Sequence, residues 1–158
     1  MKYNNLFNLQ GKVAVVTGGA GLIGIELVRG LAESGAIVVL ADIDKNRGKK
    51  AAREFTRQKL NVIFKQLNIT KKKSVFDLIE FIDKKYDHID IWINSAYPKT
   101  QDWGAMFEDI LLASWKKNID MHLNGYFICC QKIAEYMKKQ KSGSVINLAS
   151  TYGIVAPD

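Results

Sequence analysis

Five short apolar runs, rich in β-branched residues, alternate along the chain with longer segments whose apolar residues recur at helical spacing. The runs Lys12–Thr17, Ile37–Asp42, Val62–Leu67, Ile89–Asn94 and Ser144–Ala149 read as buried strands. The segments Leu22–Ser34, Lys45–Lys59, Lys73–Tyr86 and Trp115–Gln140 read as helices, the last with a start as early as Glu108. Near-continuous apolar strands separated by helices imply an α/β protein with a parallel sheet covered on both faces. Right-handed crossovers favour a doubly wound sheet with strand order 3-2-1-4-5 and one domain over residues 1–158. A ligand is expected where the order reverses, above the C-terminal ends of the strands that start at Lys12 and Ile89. The stretch Tyr97–Asp109, with Pro98 and Gly104, reads as a surface loop over that crevice, either a cover for substrate or a plain connection.

The turn between the first strand and helix is Thr17-Gly18-Gly19-Ala20-Gly21-Leu22-Ile23-Gly24. Gly19, Gly21 and Gly24 fit G-x-G-x-x-G: one glycine for the tight turn, one for close approach of a pyrophosphate, one for packing of helix on strand. The helix start offers unpaired N–H groups and a positive dipole end to phosphates, so Gly18, Leu22 and Ile23 join the candidate binding residues. The second strand ends in Asp42, eighteen residues past Gly24, near the spacing expected for a carboxylate that accepts hydrogen bonds from an adenosine ribose. Strand, glycine turn, helix, strand and acid in this order predict a Rossmann-type dinucleotide site.

Composition narrows the remaining classes. A chain of 158 residues is long enough for a real core, and 47% hydrophobic with 25% charged content is ordinary for a globular protein. No run approaches the ~18 apolar residues of a membrane span, and Met1–Phe7 lacks the apolar core of a secretory signal. The net charge of +7 sits almost wholly on Lys45–Lys59, where seven basic residues face one acid, Glu54. Ala51, Ala52 and Phe55 form the expected inward stripe of that helix, which leaves the charges solvated. No aromatic stacking set or helix-turn-helix signal accompanies them, so nucleic-acid binding is not expected. Cys129 and Cys130 are adjacent on a predicted helix and point apart, so neither a metal site nor a disulfide framework is expected. They read as small buried hydrophobes in a reducing cytoplasm.

The opening Leu9-Gln10-Gly11-Lys12-Val13-Ala14-Val15-Val16-Thr17-Gly18-Gly19 resembles the start of the short-chain dehydrogenases/reductases. Four later stations extend the resemblance over the whole chain: Asn68-Ile69-Thr70, Asn94-Ser95-Ala96, His122-Leu123-Asn124-Gly125 and Ser144–Gly153. Asn94-x-Ala96-Tyr97-Pro98, His122-Leu123-x-Gly125-Tyr126-Phe127 and Ser150-Thr151-Tyr152-Gly153-x-Val155-Ala156-Pro157-Asp158 further resemble the branch of oxidoreductases associated with flagellin modification and surface-sugar synthesis. The family implies hydride transfer between a nicotinamide cofactor and an alcohol or carbonyl of a small substrate, sugar-derived by the resemblance to that branch. By this resemblance Asp42 holds the adenosine ribose and repels a 2′-phosphate, so NAD is expected over NADP, with Lys45 and Arg47 as basic neighbours that pull the other way. Ile69 is expected against adenine, and Asn94 and Ala96 beside the ribose nearest the nicotinamide. Asn68 stands for the family's aspartate near the adenine amino group, or caps the strand end. Ser150 is expected to donate a hydrogen bond to the substrate oxygen, stabilising alkoxide charge as it develops. His122 replaces an asparagine that supports a relay water. Its imidazole either holds such a water or packs as an ordinary helical histidine, with Asn118 one turn earlier as a substitute.

One station is missing. The family's chemistry uses Tyr-x-x-x-Lys, a tyrosine whose pKa is lowered by the lysine ammonium. Four positions after Tyr3, Tyr86, Tyr97, Tyr126, Tyr136 and Tyr152 stand Phe7, Asp90, Gln101, Cys130, Gln140 and Ala156. The chain therefore reads as C-terminally truncated: a fragment, a shortened gene, or a short form that binds a dinucleotide without turnover. A strand ending the sheet at Ser144–Ala149 is expected to leave an exposed edge. Association of copies is expected through the Trp115–Gln140 helix. The pattern Gly18-x-x-Gly21-x-x-Gly24 also fits the extended sugar-nucleotide epimerases and dehydratases, since the main branch would place a glycine at Leu22.

Overall fold

A computed structural model describes residues 7–150 and Gly153. The strands are β1 (Val13–Thr17), β2 (Ile37–Asp42), β3 (Val62–Gln66), β4 (Ile91–Asn94) and β5 (Ser144–Asn147). The α-helices are α1 (Leu22–Glu33), α2 (Lys45–Arg57), α3 (Lys72–Tyr86), α4 (Leu112–Ile119) and α5 (Gly125–Gln140). The strands pair in parallel in the order β3-β2-β1-β4-β5. This is the doubly wound order expected from the alternation of elements, with the reversal between β1 and β4.

The period of two along each strand explains the layers. Val13 and Val15 face one way and pack with Val39 and Ala41 against Val75, Leu78, Ile79 and Ile82 of α3 and Cys129, Ile133 and Met137 of α5. Ala14 and Val16 face the other way and pack with Val38 and Leu40 against Val28 and Ala32 of α1 and Phe55 of α2. The basic side chains of α2 lie outward, as expected, and its inner stripe is Gly48, Ala52 and Phe55, with Ala51 only half-buried. Asp44 caps α2 by accepting from Asn46 N and Arg47 N at 3.0 and 2.9 Å.

Several elements end one or two residues short of their expected bounds, and the largest departure is a division of the long helix. That helix starts at Leu112, between the expected limits Glu108 and Trp115, and is divided by a π-helical turn over Asp120–Asn124. That wider turn re-aims the side chains at the point where Gly125 packs so closely on Ile69 that a Cβ would lie 3.0 Å from Ile69 Cδ1. The last strand is shorter than expected, although Leu148 N still donates to Asn94 O at 3.1 Å. β5 is an edge strand, with Val145 36% and Ile146 46% exposed on its two faces.

The amino ends of β1 and β4 are tied by one carboxylate. Asp90 accepts from Val13 N and from Lys12 Nζ, both at 2.9 Å, with His88 Nε2 3.3 Å away. Burial pushes the Asp90 carboxyl up, but the Val13 amide and the Lys12 ammonium, with His88 beside them, outweigh it and hold it below the usual carboxylate range. His88, which reads as a plain loop residue in the sequence, also bonds Gly11 O at 3.1 Å. Because the folded state favours the ionised form, this contribution is complete above the unfolded carboxyl pKa of about 3.9 and is lost as pH falls through the lower folded value. Asp90→Asn is expected to reduce unfolding free energy at pH 7 by about 1–3 kcal/mol and to remove part of the acid-induced loss. Urea titrations of both chains from pH 7 down to pH 2 measure this, and equal acid limbs would contradict it.

Candidate functional site

A cleft of about 530 Å³ opens over the carboxyl ends of β1–β4. That volume lies within the range of small-molecule and cofactor sites. Its floor is the glycine turn, and three kinds of backbone contact build it. Gly18 has φ +66, and a Cβ there would lie 2.6 Å from Ala96 Cα. The turn therefore sits directly on the segment leaving β4. Gly24 is the second critical position: its Cβ would lie 2.1 Å from Gly18 O, so α1 packs on the turn itself. The tight left-handed residue is thus Gly18 rather than Gly19. Gly19 is instead wedged near Val16 O and the Leu40 side chain.

Thr17 and Asp42 supply the polar struts. Thr17, fully buried, accepts from Ser95 N at 3.1 Å and Ala96 N at 3.2 Å, which joins the ends of β1 and β4. Asp42 Oδ2 accepts from Ala20 N at 3.0 Å, and Asp42 Oδ1 accepts from Asp44 N at 2.9 Å. Arg47 Nη2 donates to Ala20 O at 3.0 Å. The Ala20 residue of the turn is therefore held from both its amide and its carbonyl, one by an acid and one by a base. Sequence reasoning missed Thr17 and the Arg47–Ala20 bond. A threonine ending a strand signals nothing by itself, and Arg47 approaches the turn only because α2, packed over β2 and β3, starts next to it.

The expected cofactor residues separate into two sets. Gly18, Gly21, Leu22, Ile23 and Gly24 line the cleft at the start of α1. This helix begins at Gly21 with no side-chain cap and no acid in its first turn, whereas α2 is capped by Asp44. Asp42, Asn68 and Ile69 line it over β2 and β3, and Ala96 lines it over β4. Asn94 is not at the wall. It is fully buried on the α5 side, where Oδ1 accepts from Trp92 Nε1 and Nδ2 donates to Asn147 Oδ1, both at 2.8 Å, with Cys130 Sγ at 3.4 Å. Its carboxamide ties β4 to β5 and α5. Asn68 shows the strand-end geometry: its Oδ1 accepts from Thr70 N at 3.0 Å and Thr70 Oγ1 at 2.8 Å, while the residue remains on the cleft wall.

The expected catalytic residues lie near β4 and β5. Ser150 is exposed, three residues past β5 at the same carboxyl edge as the cleft. Thr151, Tyr152 and residues 154–158 of the expected motif lie outside the described residues. His122 bonds Pro98 O through Nε2 and packs between Tyr97 and Trp103. Asn118 is bonded to Thr100 through both amide atoms. Cys129 is buried, and its thiol is pushed up to about 12 by burial and the adjacent Cys130. Tyr126 and Tyr136 are displaced upward, Tyr126 by burial and Tyr136 by burial and its bond to Asp83, opposite to the shift an acid/base tyrosine needs. Among the described residues no group of three His, Cys, Asp or Glu side chains could hold a metal ion, and no helix is long and apolar enough to cross a membrane.

The donor set suits an adenine dinucleotide: an uncapped helix start for phosphate, a carboxylate for ribose hydroxyls and the apolar Ile69 for a flat ring. Residues 12–157 match the family model of the short chain dehydrogenases. The chain belongs to that family. The post-translational flagellin modification protein A of Campylobacter coli is 33% identical over 94% of this chain and 59% of its own length. An NAD-dependent glycerol dehydrogenase of Listeria innocua is 35% identical over 96% of this chain and 58% of its own. The crystal structure of a short chain dehydrogenase from Bacillus anthracis superposes with a TM-score of 0.85 at 29% identity, covering 94% of this chain and 59% of that one. The chain thus spans a little over half the length of the relatives it matches, which include proteins named as oxidoreductases and dehydrogenases.

The struts of the floor make a direct prediction. Thr17→Val keeps the shape but leaves the Ser95 and Ala96 amides without an acceptor in a buried place. It should lower unfolding free energy by about 2–4 kcal/mol, while Thr17→Ser loses less than half as much. Urea unfolding with an unchanged m-value tests this, and equal losses in the two variants would contradict the role given to the hydroxyl.

Proposed function

We propose that this chain forms the cofactor-binding part of an NAD-dependent oxidoreductase that interconverts an alcohol and a carbonyl on a small polyol or sugar-derived substrate. The observation that carries this reading is the single cleft that joins the uncapped start of α1 to Asp42 across the point where the strand order reverses. The dinucleotide would lie with its adenosine over β2 and β3, between Asp42, Asn68 and Ile69. Its pyrophosphate would lie over Gly18–Gly24, and its nicotinamide half over β4 and β5. When bound, the nicotinamide supplies the hydride acceptor or donor. The chain's own contribution to chemistry is Ser150, whose hydroxyl donates to the substrate oxygen and stabilises charge developing there.

The preference for NAD follows from the position of Asp42. Its carboxylate faces the cleft and would meet a 2′-phosphate as a like charge. Arg47, one of the two basic neighbours named in the sequence, is already bonded to Ala20 O, which limits its use for that phosphate. The substrate class is supported by relatives named for flagellin modification and glycerol oxidation. Exposed apolar residues along α4 and α5, Trp115, Ile119, Leu123 and Phe127, support association of copies through this helical stretch.

Titration of the 158-residue chain with NADH and NADPH tests the cofactor reading. NADH should saturate with an affinity at least about tenfold tighter than NADPH, and Asp42→Ala should close most of that gap. Absence of saturable NADH binding would end the proposal. None of the six tyrosines has a lysine four residues on, so this polypeptide tested alone should show negligible turnover on a panel of polyols and sugars. Rates in the ordinary enzymatic range, about 1–1000 per second, would overturn that expectation.

A further inference from the structure

Two side chains one helical turn apart bind the loop that follows β4. Asn118, 5% exposed near the end of α4, accepts from Thr100 N at 3.0 Å and donates to Thr100 Oγ1 at 2.8 Å. His122, in the π-helical turn, bonds the carbonyl of Pro98 through Nε2. A carbonyl only accepts, so this nitrogen carries the proton. The imidazole also fills the angle between two aromatic rings. Tyr97 meets it edge-on at 4.4 Å and 86°, and Trp103 stacks on it at 5.7 Å and 15°. Tyr97 and Trp103 in turn meet edge-on at 5.4 Å and 81°. The three rings close a triangle with His122 as the only member on a helix.

The far end of the loop has an anchor of its own, the Asp102 carboxyl, which is held low chiefly by hydrogen bonds from Thr100 and from Ser114 at the start of α4. Among the described residues, the backbone–backbone bonds between Tyr97 and Ala105 are the turn-type bonds Trp103 N to Thr100 O and Ala105 N to Asp102 O, at 3.3 and 3.0 Å. Tyr97, Pro98 and Lys99 form one wall of the cleft, on the β4 side. Asp42, Asn68 and Ile69 form the wall over β2 and β3, with the glycine turn between the two. The wall that His122 braces therefore borders the part of a bound dinucleotide beyond its pyrophosphate. The Nε2 that could have oriented a relay water is engaged by Pro98 instead.

We propose that His122 is a positioning residue. Through Pro98, Tyr97 and Trp103 it sets the β4-side wall of the cleft against the nicotinamide ring of the dinucleotide and leaves the ADP-ribose part untouched. This rests on the dinucleotide reading above, and the test separates the two. The intact 158-residue chain and its variants are titrated calorimetrically with NADH and with ADP-ribose, which lacks the nicotinamide. His122→Ala should weaken NADH by about tenfold and ADP-ribose by less than about twofold. His122→Gln, whose amide can still donate to Pro98 O, should recover part of the NADH affinity. In an ¹⁵N–¹H spectrum the Trp103 indole resonance should move in His122→Ala while that of buried Trp92 stays. Should His122→Ala fail to fold, Trp103→Leu removes a ring 40% exposed at the surface and should give the same selective loss. Equal weakening of both ligands, or no weakening of either, overturns the positioning role. An unaltered chain that binds neither ligand overturns the dinucleotide reading, and this role with it. An unaltered chain that binds ADP-ribose and NADH equally well overturns the role alone.

Discussion

Backbone packed on backbone at the reversal point governs this structure. The peptide at Gly18 rests on Ala96 from the next strand over, and the first turn of α1 rests on the carbonyl of Gly18. A side chain at Gly18 or Gly24 would need space that is filled by main chain, which cannot rotate aside. The consequence is a helix start drawn down to the sheet with its amide groups uncovered and a cleft beside it. Thr17 and Asp42 then stabilise the same arrangement with hydrogen bonds to backbone amides that close packing would otherwise leave unpaired.

Polar groups behind the cleft serve a different purpose. Buried Asn94 and Trp92 join half-buried Cys130 and exposed Asn147 in a network that links β4, β5 and α5. Such a network is costly unless each member is satisfied, and here the Asn94 amide finds partners for both its oxygen and its nitrogen. Gln140 closes the opposite end of α5 by donating to Ile89 O and accepting from Ile89 N, each at 3.1 Å. The helix is thus registered on β4 at both ends, which gives the π-helical turn and His122 a fixed height above the sheet.

Much of this was legible in the order of residue types. β-branched runs of five or six residues can be buried on both faces only in a covered sheet, and with helices between them and right-handed crossovers that points to the 3-2-1-4-5 order. The glycine turn and Asp42 were legible because their chemistry depends on spacing along one βαβ unit. Asn94 was placed differently. The family resemblance implied a residue at the cleft, whereas alternation along β4 turns its side chain to the α5 face, beside Trp92 two residues earlier. The division of the long helix was also invisible, since a π-helical turn changes the period by one residue and leaves the apolar pattern readable as continuous.

The sequence by itself determined the layers, the strand order and the location of the cleft, because these follow from local periodicity, chain handedness and the absence of side chains at a few positions. The tertiary structure alone decided which polar side chains reach the cleft and which hold it from behind. Arg47 to Ala20, Asn94 to Asn147 and His122 to Pro98 join residues 27, 53 and 24 positions apart. Hydrogen bonds of that kind depend on angles and distances of a few ångströms between elements, and these exist only after the sheet has brought distant segments together.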